Sequence, residues 1–232
     1  MKTLSFLLAT SAFALTSCSS LAPKAETMTK QAQEATTPAQ ALQKLKDGNA
    51  RFVGGKTLNY DYLGQVQETA AGQYPYASVV SCLDSRTSTE LIFDQGIGDV
   101  FNARVAGNIV NRDILGSLEF ASKAAGSKLI AVVGHTKCGA VKGACDHVKL
   151  GNLTGLLEKI EPAVAATPSP GGADRSSKNA VFVDKVAMQN VRQAMAGIRS
   201  QSPILSQMEK AGQIRIVGAM HDIETGKVTF LD

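Results

Sequence analysis

Lys128-Leu129-Ile130-Ala131-Val132-Val133-Gly134-His135-Thr136-Lys137-Cys138 is the stretch on which the reading of this chain turns. Its first six residues form a nearly continuous apolar, β-prone run, the pattern of a strand buried on both faces. Such a strand needs helices above and below it, the arrangement of a parallel sheet in an α/β domain. The run ends on Gly134-His135 and, three residues on, Cys138. Groups able to hold a metal therefore stand at the carboxyl end of the strand, where open α/β sheets bind their ligands.

Working upstream, Tyr76-Ala77-Ser78-Val79-Val80-Ser81-Cys82 is a second β-prone run, and it too ends in a polar cluster, Cys82-Leu83-Asp84-Ser85-Arg86. Thr87-Ser88-Thr89-Glu90 has the form of a capping box and predicts a helix through Phe93. Asp99–Arg104 is a weaker strand, and Asn111 caps a helix over 112–125 that Gly126 ends. Downstream, the periodicity predicts helices near 139–148 and 153–166, a loop at 167–178 around Pro168 and Pro170, a long helix over 180–200 and a shorter one after Pro203. Gln213–Ala219 reads as the last core strand, and Glu224-Thr225-Gly226-Lys227 as a turn into Val228–Leu231. Towards the N-terminus, Thr37 as N-cap, Pro38 in the first turn and Gly54-Gly55 as stop predict a helix over 38–53. The expected fold is α/β: a mostly parallel central sheet flanked by helices, with a C-terminal antiparallel hairpin strand and an N-terminal helical arm.

At 232 residues the chain can bury one sizeable core. A formal charge of +4 from 24 scattered basic residues does not suggest nucleic acid as a partner. The first residues read as an export signal: Lys2, an apolar run from Leu4 to Leu15, and small residues before Cys18. Leu15-Thr16-Ser17-Cys18 resembles the lipobox of bacterial lipoproteins, in which the cysteine is acylated and becomes the new N-terminus. The expected organisation is a signal peptide over 1–17, a lipid-anchored tether rich in Ser, Thr, Ala, Gln and Lys over 18–37, and a catalytic domain over 38–232. The expected location is periplasmic or cell-surface, with Ser19 leaning towards the outer membrane in an organism with two membranes, and membrane contact through the anchor alone. Of the four cysteines at 18, 82, 138 and 145, Cys145 has no evident partner; a Cys138–Cys145 disulfide is the bland alternative to a metal site.

Cys82, His135 and Cys138 together make a soft donor set that suits zinc, one ion per subunit, rather than magnesium or calcium. Asp84 is read in two ways. As a fourth ligand it closes the site; paired with Arg86, whose planar fork matches a carboxylate, it leaves the fourth position to water. Asp84-Arg86 by itself is also the pattern of an ordinary surface ion pair. Zinc lowers the pKa of bound water to about 7, so an open site offers hydroxide near neutral pH.

These residues resemble the β-class carbonic anhydrases. The resemblance rests on C-x-D-S-R followed by H-x-x-C-G, here Cys82–Arg86 and His135–Gly139. It extends to Gly48-Asn49-Ala50-Arg51-Phe52, Arg104-Val105-Ala106-Gly107-Asn108, and Val217-Gly218-Ala219 with Asp222 and Thr225-Gly226. It implies a lyase that reversibly hydrates carbon dioxide to bicarbonate and a proton by zinc-bound hydroxide, with an Asp84-Arg86 dyad gating the fourth position. It further implies that Gln73, reaching across a dimer interface, Phe101 as an apolar wall and Gly139 through its backbone amide bind substrate. The subunits are expected as a homodimer or a dimer of dimers. An allosteric bicarbonate site of some members uses a tryptophan where this chain has Val79, so that regulation is expected to be absent. His221 stands where many members have tyrosine and is either a proton relay or a structural histidine. The alternatives are a non-catalytic zinc- or bicarbonate-binding lipoprotein, in which Asp84 stays on the metal, and a thiol-redox or disulfide-stabilised protein without zinc.

Overall fold

The computed structural model describes residues 22–231. Cys18 and the export signal lie outside them. The chain runs α1 (Lys30–Ala35), α2 (Pro38–Val53), α3 (Tyr62–Thr69), β1 (Ala77–Ser81), α4 (Thr89–Ile92), β2 (Val100–Arg104), α5 (Arg112–Glu119) and β3 (Leu129–His135). It continues through α6 (Gly139–Cys145), α7 (Gly151–Leu157), α8 (Glu161–Ala166), α9 (Ala180–Gln201), α10 (Pro203–Lys210), β4 (Arg215–His221) and β5 (Val228–Leu231). The five strands form one sheet in the order β2-β1-β3-β4-β5. All neighbours are parallel except β5, which turns back antiparallel on β4.

All seven residues of β3 are buried, as a run without polar alternation requires. Its side chains divide between two apolar layers. Ile130 and Val132 face the layer built with α9 and α10, whereas Leu129, Ala131 and Val133 face the layer built with α2. On the second side α2 comes so close that a Cβ on Gly48 would stand 1.8 Å from the carbonyl oxygen of Phe93. Only glycine permits that approach, and it lets the neighbouring Asn49 bridge the carbonyls of Ile92 and Gly226 through its amide, at 2.9 Å each.

Several expectations are corrected. The composition of residues 18–37 reads as a tether, yet 23–36 lie on the domain. Ala25 N–H donates to Asn59 O and Asn59 N–H to Pro23 O, each at 2.9 Å. The buried Gln33 amide donates to Pro75 O and Ala125 O, each at 2.8 Å. Thr87 opens no capping box: its hydroxyl donates to Cys82 O and Asp84 O, and the short α4 begins two residues later. The single helix expected over 153–166 is two, because Pro162 lacks an N–H, suits the first turn of α8 and cannot continue α7. The helix over 112–125 widens after Glu119 into a π turn, in which Ala125 N–H bonds Phe120 O. Strand β4 lies two residues beyond the expected span, ending on His221. No helix among the described residues is long and apolar enough to cross a membrane.

Gln33→Ala tests whether residues 23–36, which strap the chain to the domain, are part of the fold. It would leave two carbonyls without their donor, at a cost of about 1–3 kcal/mol. A melting temperature equal to that of the unsubstituted protein would show that the strap contributes nothing.

Candidate metal centre

Cys82 follows β1, His135 is the last residue of β3, and Cys138 is the N-cap of α6. Because β1 and β3 are parallel neighbours, these residues meet although 56 positions separate the two cysteines. The three ligand atoms lie within 4.8 Å of one another and all three residues are buried. The sulfurs are 4.0 Å apart, about twice a disulfide bond length. Cys82, Cys138 and Cys145 are all free thiols, so the disulfide expected as an alternative is absent among the described residues.

The ring of His135 has its Nδ1 at 2.9 Å from Thr136 O. A carbonyl only accepts, so Nδ1 carries the proton and Nε2 presents a lone pair. That Nε2 is buried without a partner. An orphaned imidazole nitrogen beside two buried thiols is costly unless a cation completes it, and two sulfurs with one nitrogen select zinc over the hard cations. The thiols divide their protons unequally. Cys82 is pushed down to about 4, chiefly by the hydrogen bond from Cys138, with the His135 ring and the backbone amides of Asp84 and Gly107, the latter at 3.3 Å, also favouring the thiolate. Cys138 is driven well above the ordinary thiol range by giving that bond and by burial. One negative charge forms readily, and the second awaits a cation.

A carbonic anhydrase family model matches residues 77–228, which run from the start of β1 through the whole of β4 and include Cys82, His135 and Cys138. The chain belongs to the carbonic anhydrase family.

Carbonic anhydrase 2 of Mycobacterium tuberculosis is 34% identical over 206 residues, covering 85% of this chain and 94% of that protein. Carbonic anhydrase of Pseudomonas aeruginosa is 30% identical over 169 residues, or 70% of this chain and 76% of that one. Among solved structures, the β-carbonic anhydrase CafA of Aspergillus fumigatus is 26% identical with a TM-score of 0.63, covering 84% of this chain and 90% of that one. This carbonic anhydrase is of the β class, and its mostly parallel sheet with a terminal antiparallel strand is the fold read from the sequence.

Around the three residues Cys82, His135 and Cys138, Asp84 and Arg86 form a bidentate pair: Nε donates to Oδ1 at 2.9 Å and Nη2 to Oδ2 at 2.7 Å, while Arg86 N–H adds 3.0 Å to Oδ1. The guanidinium holds the Asp84 carboxyl well below the usual carboxylate range. Asp84 Oδ2 remains 4.0 Å from His135 Nε2. The loop that carries Cys82 is clamped by Arg104, whose Nε donates to Cys82 O at 3.0 Å and whose Nη2 donates to Asp84 O. Asn190 of α9 donates to Gly107 O at 2.7 Å and so holds the turn whose amide bonds the sulfur. Neither clamp was assigned a role from sequence. The signal for Asn190 is a polar residue on the core-facing stripe of a helix that otherwise presents Val183, Val186, Ala187 and Val191.

The residues expected to bind substrate are less concentrated. Gly139 is the first residue of α6, and nothing lies within 4 Å of where its Cβ would stand, so space opens beside its Cα. Phe101 is half-buried on β2 and packs edge-on against Phe120 with centroids 6.2 Å apart. Gln73 is exposed ahead of the amino end of β1, the end opposite Cys82, so its own protomer does not bring it to the metal ligands. His221 pairs in register with His135 and is buried, with both ring nitrogens lacking a partner. Burial, then His135, pushes its pKa down. Cys145 is a buried thiol pushed up to about 11 by burial, and it behaves as a small apolar side chain.

Proposed function

We propose that this enzyme hydrates carbon dioxide reversibly to bicarbonate and a proton at one zinc ion held by Cys82, His135 and Cys138, with Asp84 and Arg86 keeping the fourth position available. The observation that carries the dyad reading is the two-pronged Arg86–Asp84 pair, which engages both carboxylate oxygens. Zinc, when bound, supplies a hydroxide nucleophile near neutral pH by acidifying water. Asp84, ionised throughout the working range, can only accept, so it orients a donor hydroxyl beside the ligands and leaves the oxygen lone pairs facing substrate. Phe101 lies opposite Ser78, four residues before Cys82, so as an apolar wall it would serve, like Gln73, the site across the proposed dimer interface. The open space beside Gly139 suits a small linear molecule, and the Gly139 amide suits the oxygen on which charge grows. The alternative of a non-catalytic zinc or bicarbonate binder requires Asp84 on the metal, which the Arg86 pair opposes.

The proposed assembly is a homodimer or a dimer of dimers. Strand β2 is an unpaired edge flanked by exposed Leu91, Ile97 and Phe120, and a partner there is needed to bring a Gln73 to each site. Acylation of Cys18 after removal of residues 1–17 is part of the same proposal, supported by the lipobox pattern. It places the enzyme on the periplasmic or outer surface with two or more acyl chains, enough for stable anchoring.

Stopped-flow hydration of carbon dioxide, read together with zinc content, tests the reading. Zinc near one ion per chain with hydration activity is expected. A folded, zinc-replete protein without activity overturns it.

A further inference from the structure

The segment ahead of α2 is fixed to one side of the sheet. Met28 packs against the apolar layer made by Leu42 and Leu45 of α2, while α9 and α10 belong to the layer on the opposite face. Lys24 and Met28 line a cavity of about 400 Å³ with Lys44, Tyr76 and Asp99 on that same α2 side. The reciprocal backbone bonds of Pro23 and Ala25 with Asn59 then hold the point at which the described chain begins. Cys18 precedes Pro23 by five residues, and five residues reach at most about 17 Å.

We propose that the α2 face lies against a lipid bilayer, with the strap over 23–36 serving as a rigid mount in place of a free tether. This inference rests on the proposed acylation of Cys18. Lipid chains on that residue enter the membrane within about 17 Å of the Asn59 staple, too short a leash for the domain to tumble or to turn its α10 face inward. Residues 22–69 carry six basic and five acidic side chains. Polybasic attraction to anionic lipid is therefore negligible, and the acyl chains supply the affinity. Antiparallel pairing of two β2 edges about an axis normal to the sheet leaves both α2 faces on one side, so a dimer can use both anchors on one membrane.

The test uses the full-length lipidated protein in vesicles of phosphatidylethanolamine and phosphatidylglycerol containing a rhodamine-headgroup lipid as energy acceptor. A donor dye is placed on Lys56→Cys, beside the staple, or on Lys210→Cys, at the end of α10; both positions are exposed and the native thiols of the described residues are buried. Two helix layers of about 10 Å each separate the sites, and roughly twofold greater transfer is expected from position 56. Equal transfer from both positions overturns the proposal. Shielding of the position-56 dye from iodide in a Cys18→Ser protein purified without lipid or detergent also overturns it, because a second copy would then cover the face. Mass spectrometry of Cys18 separates the two readings. An unacylated Cys18 overturns the anchor and this inference together while leaving zinc binding and hydration untouched, whereas an acylated Cys18 with equal transfer overturns this inference alone.

Discussion

Cys138→Ser is expected to lose its metal and to hydrate carbon dioxide more than about 100-fold more slowly, since even partners one shell outside a metal ligand cost 10–100-fold. A serine hydroxyl stays protonated at neutral pH and is a harder donor than thiolate, so the set falls to one sulfur and one nitrogen. The side chain shrinks little and sits 1% exposed at the start of α6, so the backbone is expected to hold its shape. Cys145→Ser supplies the control: it makes the same chemical change in the same helix, outside the ligand cluster. Zinc analysis and circular dichroism on both variants separate ligation from folding. Full zinc in Cys138→Ser would rule out its role as a ligand.

Arg86→Ala is expected to keep zinc and the fold while lowering the hydration rate by about 10–100-fold. Asp84 would lose both side-chain bonds and keep only the 3.0 Å bond from the residue 86 amide. Its Oδ2 already lies 4.0 Å from His135 Nε2, and a freed carboxylate at that distance competes for the fourth position. Hydroxide becomes the stronger competitor as pH rises, so the deficit should be largest in mild acid and shrink in base. Arg86→Lys should rescue part of the rate, because a point charge cannot engage both oxygens. Rates equal to those of the unsubstituted enzyme at every pH would remove the dyad from the mechanism.

The residues that were legible in the sequence share a physical property. A buried strand such as 129–135 announces itself because it admits no polar residue until its end. Cys82, His135 and Cys138 stand out because thiols and imidazole gathered at strand ends are uncommon except as ligands. The strap was illegible because its attachment rests on backbone groups and on the two amide bonds of Gln33, which composition cannot register. The split between α7 and α8 was readable in principle from Pro162. The π turn after α5 was not, since Phe120–Ala124 carries ordinary helix-compatible residues. His221 sits beside His135 only because β3 and β4 are in register, a fact of topology that no local pattern encodes.

The spacing of the two cysteines has a further consequence. An ion bound by Cys82 and Cys138 closes a loop spanning 56 positions, which includes α4, β2 and α5. By the chain-entropy treatment of cross-links, closing a loop of that length removes on the order of 4 kcal/mol of freedom from the unfolded chain. Zinc would thus act as a reversible cross-link between the two halves of the sheet, so that loss of the ion in a metal-poor surrounding weakens the fold together with the chemistry.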